Sequence, residues 1–216
     1  MFGFSRKPYP SRLIAGVDEA GRGSILGPLV IAGIGIPLNR ISDLTRLGVR
    51  DSKTLTSKSR ERLIKEIISL ADCLSIIKFD SHEVDRYVFL NGLNELEALG
   101  MANVIRNIRA DEIYIDACDV NLDRYRRSIQ KYMMGPRNIH CLHHADAINI
   151  VVSAASILAK IIRDKEIQKI RKVYHDIGSG YPSDEKTMRF IQKWIRVHES
   201  SPTFARKSWK PLRNIL

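Results

Sequence analysis

Two apolar runs open the chain, Leu13 to Val17 and Leu29 to Ile36, with a glycine-rich turn between them. Both are short and bounded by turn residues, which predicts neighbouring strands. From Ser57 to Leu70 the period changes. Leu63, Ile64, Ile67, Ile68 and Leu70 recur at helical spacing among Lys, Arg and Glu, the pattern of a helix with one buried face. A strand-like run, Cys73 to Phe79, precedes a helical pattern from about Glu83 to Ile108, interrupted at Asn91-Gly92 and at Gly100. A strand at Glu112 to Ala117, a helix at Leu122 to Lys131 and a strand at Ile139 to Leu142 follow. Ala145 to Val173 is apolar nearly all round in its first half, which predicts a central, buried helix. The Gly178 to Ser183 stretch breaks the pattern, and Ser183, Asp184 and Glu185 start one more helix, to about His198. Strands first, then strands alternating with helices, predict an α/β domain with a mixed central sheet over residues 1–175, and a small basic helical segment, 176–216, packed on it.

Composition agrees with a folded chain: 216 residues, 44% hydrophobic and 7% aromatic. The longest apolar stretch, Ile25 to Leu38, is broken by Gly27, Pro28, Gly33, Gly35 and Pro37 and is shorter than the roughly 20 residues that span a bilayer. The N-terminus lacks the apolar core of a secretory signal, so the expected location is the cytosol. Cys73, Cys118 and Cys141 form no Cys-x-x-Cys pair and are expected to stay reduced. The formal charge is +11, and the stretch from Lys160 onward holds 14 Lys and Arg against 6 Asp and Glu. A basic C-terminal quarter without an amphipathic anchor suggests a polyanionic partner, nucleic acid before membrane.

Candidate chemistry lies where acids meet the ends of apolar elements. Asp18 and Glu19 close the first strand just before Gly21, Arg22 and Gly23; Asp116 ends another strand, and Asp146 precedes the buried helix. Carboxylates buried there are costly without a counter-charge. Magnesium prefers oxygen ligands, and two such ions about 3.5–4 Å apart can activate a water and stabilise the leaving oxygen of a phosphodiester. Each acid also has a plainer reading, a turn residue or a helix cap, and Asp18 and Glu19 converge only if the strand ends or twists there. His140, Cys141, His143 and His144 crowd one stretch, but their spacing fits no usual zinc site. Trp194 and Trp209, in basic surroundings, are candidates for stacking on bases, although an aromatic at helical spacing is more often a core residue.

The segments GVDEAGRGSILGPLVIAG, Asp51-Ser52-Lys53, YIDA around Asp116, Ala145 to Asp164 and Gly178 to Asp184 closely resemble type 2 ribonuclease H, in that family's order over most of the chain. The run Arg206-Lys207-Ser208-Trp209-Lys210 resembles its archaeal single-chain branch. The resemblance implies a ribonuclease H fold and an endonuclease that hydrolyses the RNA strand of RNA–DNA hybrids. It further implies cutting at single ribonucleotides within duplex DNA, with 3′-hydroxyl and 5′-phosphate ends. By position, Asp18, Glu19, Asp116 and Asp146 would hold Mg2+ or Mn2+. Gly21, Arg22 and Gly23 would hold the ribose 2′-hydroxyl, Tyr181 would pack on the following sugar, Lys53 would hold a phosphate, and Asp164 would play a supporting part. The expected partners are nucleic acid duplexes, no membrane is involved, and the chain is expected to act as a monomer. The ending Asn214-Ile215-Leu216 lacks the aromatic pair of sliding-clamp peptides. An inactive binding module would be expected to have lost carboxylates, and an integrase on the same fold would lack the Gly-Arg-Gly turn and Tyr181.

Overall fold

The computed structural model describes residues 12–49 and 56–214. Five strands form one mixed sheet: β1 (Leu13–Ala20), β2 (Leu29–Pro37), β3 (Cys73–Phe79), β4 (Glu112–Asp116) and β5 (Ile139–Leu142), in the order β3-β2-β1-β4-β5. The first three pair antiparallel, while β4 and β5 join β1 in parallel. Parallel neighbours need covered faces, and helices supply them on both sides.

One face is covered by α3 (Ser81–Val88), α4 (Leu93–Arg106) and α5 (Leu122–Lys131), with Ala15, Val17, Ile113 and Ile115 packed against Met101, Val104, Ile105 and Ile129. The other is covered by α1 (Ile41–Arg46), α2 (Ser57–Leu70) and α7 (Ile150–Tyr174), with Ile14, Ile34 and Ile36 against Ile67, Val151, Ala154 and Ile157. A third cluster joins Ile25 and Leu26 to Ile167, Ile177, Ala205, Leu212 and Ile191, the last from α8 (Glu185–His198). A short helix α9, Lys210–Arg213, closes the described chain. No helix among the described residues is long and apolar enough to cross a membrane.

Two expected helices are divided differently. Gly100 does not interrupt α4; a Cβ there would lie 2.4 Å from Ile31 Cδ1 and 2.7 Å from the Phe79 ring, so its missing side chain lets the helix lie close on the sheet. The stretch from Ala145 breaks instead at Asn149, which separates the single turn α6 (Ala145–Ile148) from α7 and accepts from the N–H groups of Val151 and Val152. Such a cap satisfies donors that a helix start leaves unpaired.

Gly16 fixes how α7 meets the sheet. A Cβ at this residue would fall 2.3 Å from the Val151 carbonyl carbon and oxygen and 2.5 Å from Val152 N, all backbone. Backbone cannot swing aside as a side chain can. Gly16→Ala should therefore lift the start of α7, at a cost of about 3 kcal/mol, the upper range for overpacking. Thermal melting would register this as a fall of about 6–12 °C, taking about 2–4 °C per kcal/mol at this size. An unchanged melting temperature would mean that the helix is not seated on this glycine.

Candidate active site

Strand register brings the acids together. Val17 lies opposite Ile115 in the parallel β1–β4 pair, so the next residue on each strand is Asp18 and Asp116. Side chains alternate between faces of a sheet; Ile14 and Gly16 face α7, and Asp18 follows them. Asp116 shares that face with Tyr114, which packs with the α7-side cluster. On the far side of β4, Leu142 of β5 is level with Asp116. The chain then turns through His144, at φ 52° in the left-handed region, and returns so that Ala145 N–H donates to Asp116 Oδ1 at 2.9 Å. Asp146 arrives one residue later. One carboxylate oxygen from each of Asp18, Asp116 and Asp146 lies within 4.8 Å of the others.

Asp18 and Asp146 are buried. Asp18 accepts from Glu19 N–H at 2.7 Å, is hydrogen-bonded to Ser156, and lies within range of the Lys160 charge. Burial nevertheless dominates and, with repulsion from Asp116, pushes its carboxyl up to about 7.

Glu19 does not join this group of three. It takes the alternate face, toward α4, where its carboxyl meets the fields of Asp18, buried Glu97 and Arg22. Burial first, then those acids, push it well above the ordinary carboxylate range. It remains close enough to Asp116 to feel that charge.

The turn after β1 is built from buried anchors. Gly21 sits at φ +85°, and a Cβ there would meet Pro28 O at 2.6 Å, so the position requires glycine twice over. Gly23 has open space, with nothing within 4 Å of where a Cβ would project. Arg22 reaches back to α4, donating to Glu97 Oε2 at 3.0 Å and Asn94 Oδ1 at 2.7 Å. Its guanidinium therefore serves the conformation of the turn. Gly180 O accepts from both Ile25 N–H, at 2.8 Å, and Leu26 N–H, at 3.1 Å. These bonds tie the loop carrying Tyr181 to the same turn. Tyr181 is half-buried, with the Arg163 guanidinium 4.5 Å from its ring centre.

Asp164, the histidines and Trp194 lie outside this group of acids. Asp164 pairs with Arg60 of α2 at 2.9 Å. His143 and His144 are exposed, and His140 stacks on Tyr114 and meets Glu112 at 2.7 Å. Among the described residues these histidines form no metal-holding group with Cys141. Lys53 lies outside the described residues. Trp194 packs with Tyr174, Phe190, Phe204 and His198, beside a 660 Å³ groove that Lys186, Arg189 and Lys193 also line. Trp209 donates from Nε1 to Gly23 O at 3.3 Å. Glu97, Arg163 and Arg206, three buried charges around the turn, were not singled out by their spacing.

The family model for ribonuclease HII matches residues 15–212. The chain belongs to the ribonuclease HII family. It is 47% identical to the ribonuclease HII of Cenarchaeum symbiosum (strain A) over 203 residues, 94% of this chain and 98% of that relative. Among solved structures it is similar to ribonuclease H2 from Pyrococcus horikoshii OT3, with 36% identity, a TM-score of 0.88, and 94% and 96% of the two chains covered. A PCNA:RNase HII complex from Archaeoglobus fulgidus is similar too, at 33% identity and a TM-score of 0.85, again covering 94% and 96%. The fold is thus the ribonuclease H fold, and ribonuclease HII enzymes are divalent-metal-dependent hydrolases that cleave RNA in RNA–DNA hybrids.

Proposed function

We propose that this ribonuclease HII is an endonuclease that cuts both within RNA–DNA hybrids and at single ribonucleotides embedded in duplex DNA, leaving 3′-hydroxyl and 5′-phosphate ends. The observation that carries the reading is the meeting of Asp18, Asp116 and Asp146, distant in sequence, at the C-terminal ends of the inner strands β1 and β4 within 4.8 Å. An oxygen-only donor set suits Mg2+ or Mn2+ rather than zinc, and a carboxyl pushed to about 7 by burial and a neighbouring acid gains most from an added cation. The three aspartates would hold the metal, with Glu19 beside them on the opposite face of β1. When bound, two such cations supply the positive charge that activates water and stabilises the leaving oxygen.

The chain's own groups do the positioning. Ser156 and the Glu19 N–H orient Asp18, and the Ala145 N–H orients Asp116. The open side of Gly23 admits a sugar close to backbone, where the 2′-hydroxyl, donor and acceptor at once, separates ribose from deoxyribose. Arg163 packs on the Tyr181 ring, leaving the rest of the ring to meet the next sugar, and Lys53 is assigned a substrate phosphate. The cations of α8, Lys186, Arg189, Lys193 and Arg196, are exposed and are assigned to the duplex backbone.

The test is cleavage of a DNA duplex carrying one ribonucleotide, with and without magnesium. Metal-dependent cutting at that nucleotide is expected, and no cutting there would overturn the reading. Tyr181→Ala should lower cleavage at the isolated ribonucleotide about tenfold more than within a long hybrid, the effect of losing one sugar contact worth about 1.4 kcal/mol. Equal losses on both substrates would make Tyr181 a packing residue of its loop.

A further inference from the structure

We propose that Arg206 and Trp209 are positioning residues for ribose recognition, holding the two peptides on either side of Gly23 so that the Gly23 N–H faces the sugar. This rests on the reading of the Gly21–Gly23 turn given above. Arg206 has no exposed surface, although it carries a guanidinium. Its Nη1 donates to Arg22 O at 2.8 Å, while Nε and Nη2 donate to Gly27 O at 3.3 and 3.2 Å. The Trp209 ring lies 4.8 Å from its guanidinium carbon, and Trp209 Nε1 donates to Gly23 O at 3.3 Å. Arg206 N–H itself donates to Ile25 O at 2.9 Å, and Leu26 and Ala205 form an isolated β-bridge, so both side chains come from a segment bonded directly to the turn.

Stability alone is a poor reason for this arrangement. No carboxylate lies within ion-pair distance of Arg206 among the described residues, and burial holds its pKa down, at about 10. The charges of Asp85 and Glu97 reach it only at longer range; a buried charge without a direct ion pair is costly, and an apolar side chain of similar volume often serves a core as well or better. The guanidinium offers what an apolar side chain lacks, a rigid fork of donors, and here the fork is spent on the carbonyls of one turn.

The consequence follows from peptide geometry. In a planar trans peptide the C=O of one residue and the N–H of the next point in opposite directions. With Arg22 O aimed inward at Arg206, Gly23 N–H is aimed outward, on the residue where space is open. A hydrogen bond to the carbonyl also polarises the peptide and strengthens that N–H as a donor. Arg206 therefore acts on the sugar through the peptide without touching it, and Trp209 limits rotation of the next peptide.

The experiment compares wild type, Arg206→Lys and Trp209→Phe in calcium, measuring affinity for two duplexes that differ by one ribonucleotide. Wild type should favour the ribonucleotide duplex. Trp209→Phe keeps an aromatic ring but loses the five-membered ring with its N–H, and the preference should fall about threefold; in Arg206→Lys it should fall about tenfold, with affinity for the all-DNA duplex unchanged, as for loss of single hydrogen bonds. Unchanged preference in both variants, whatever their melting temperatures, overturns the proposal, because a merely structural brace would weaken both duplexes alike. If wild type itself shows no preference, the reading of the turn fails instead, and that outcome overturns this inference with it.

Discussion

Asp18→Asn and Asp116→Asn should each lower turnover on an RNA–DNA hybrid at least about 100-fold, or roughly 2.7 kcal/mol of transition-state stabilisation. Each change leaves the side chain's shape almost intact, so circular dichroism should be unaltered. The metal-free proteins should differ in a second way. Asp18 titrates at about 7 in the folded chain instead of 3.8, so between those values the folded state keeps a proton that the unfolded state has released. Folded wild type therefore loses stability as pH rises through that window. Asp18→Asn removes the Asp18 share of this slope and leaves the shallower one that raised Glu19 contributes, and added magnesium should offset it in wild type, because bound cation favours the ionised carboxyl. Urea melts in a chelator at about pH 5 and about pH 8 read the first effect, and single-turnover cleavage reads the loss of rate. Near-normal turnover in both variants would sink the assignment of these aspartates to the metal.

Deletion of residues 200–216 is expected to destabilise the whole domain. The segment buries Ala205 and Leu212 in the third cluster, supplies both N–H donors and the Ser208 hydroxyl that meet the buried Asp85 carboxylate, and carries Arg206. Losing a buried leucine costs about 2–5 kcal/mol, and an unpaired buried carboxylate adds a comparable amount. A fall in melting temperature of more than about 10 °C should follow at this size, together with loss of activity that excess substrate does not restore. A truncated protein that melted normally and merely required more hybrid would return the segment to the role its charge suggests, a surface that grips the duplex.

That contrast shows where sequence reading reaches its limit. Asp18, Asp116 and Asp146 were legible because each ends or precedes an apolar run, and runs of that kind declare their own period. The sheet they share follows from the same periods. Glu19 illustrates a finer point: alternation along a strand separates neighbours, and the even and odd positions of β1 divide Asp18 from Glu19 between α7 and α4. Arg206 was illegible for a different reason. In a basic stretch one arginine resembles the others, and only the chain crossing back to Gly21–Gly27 removes this one from water. Glu97 was hidden likewise, in a helix whose period predicts a buried face but not a buried acid. Gly100 misled because a glycine in a helical pattern reads equally as a break or as a place where two backbones approach, and only the partner distinguishes them.

The contact between Gly16 and Val151 bears on how the enzyme can diverge. Asp18 lies two residues after one partner in that contact, and Asp146 five residues before the other, with no side chain interposed. Repacking of the surrounding apolar residues has little leverage on a spacing set by main chain against main chain. Relatives can therefore accumulate changes in their interiors while inheriting the same distance between these two acids, and an attempt to retune that distance would have to redraw the path of the chain.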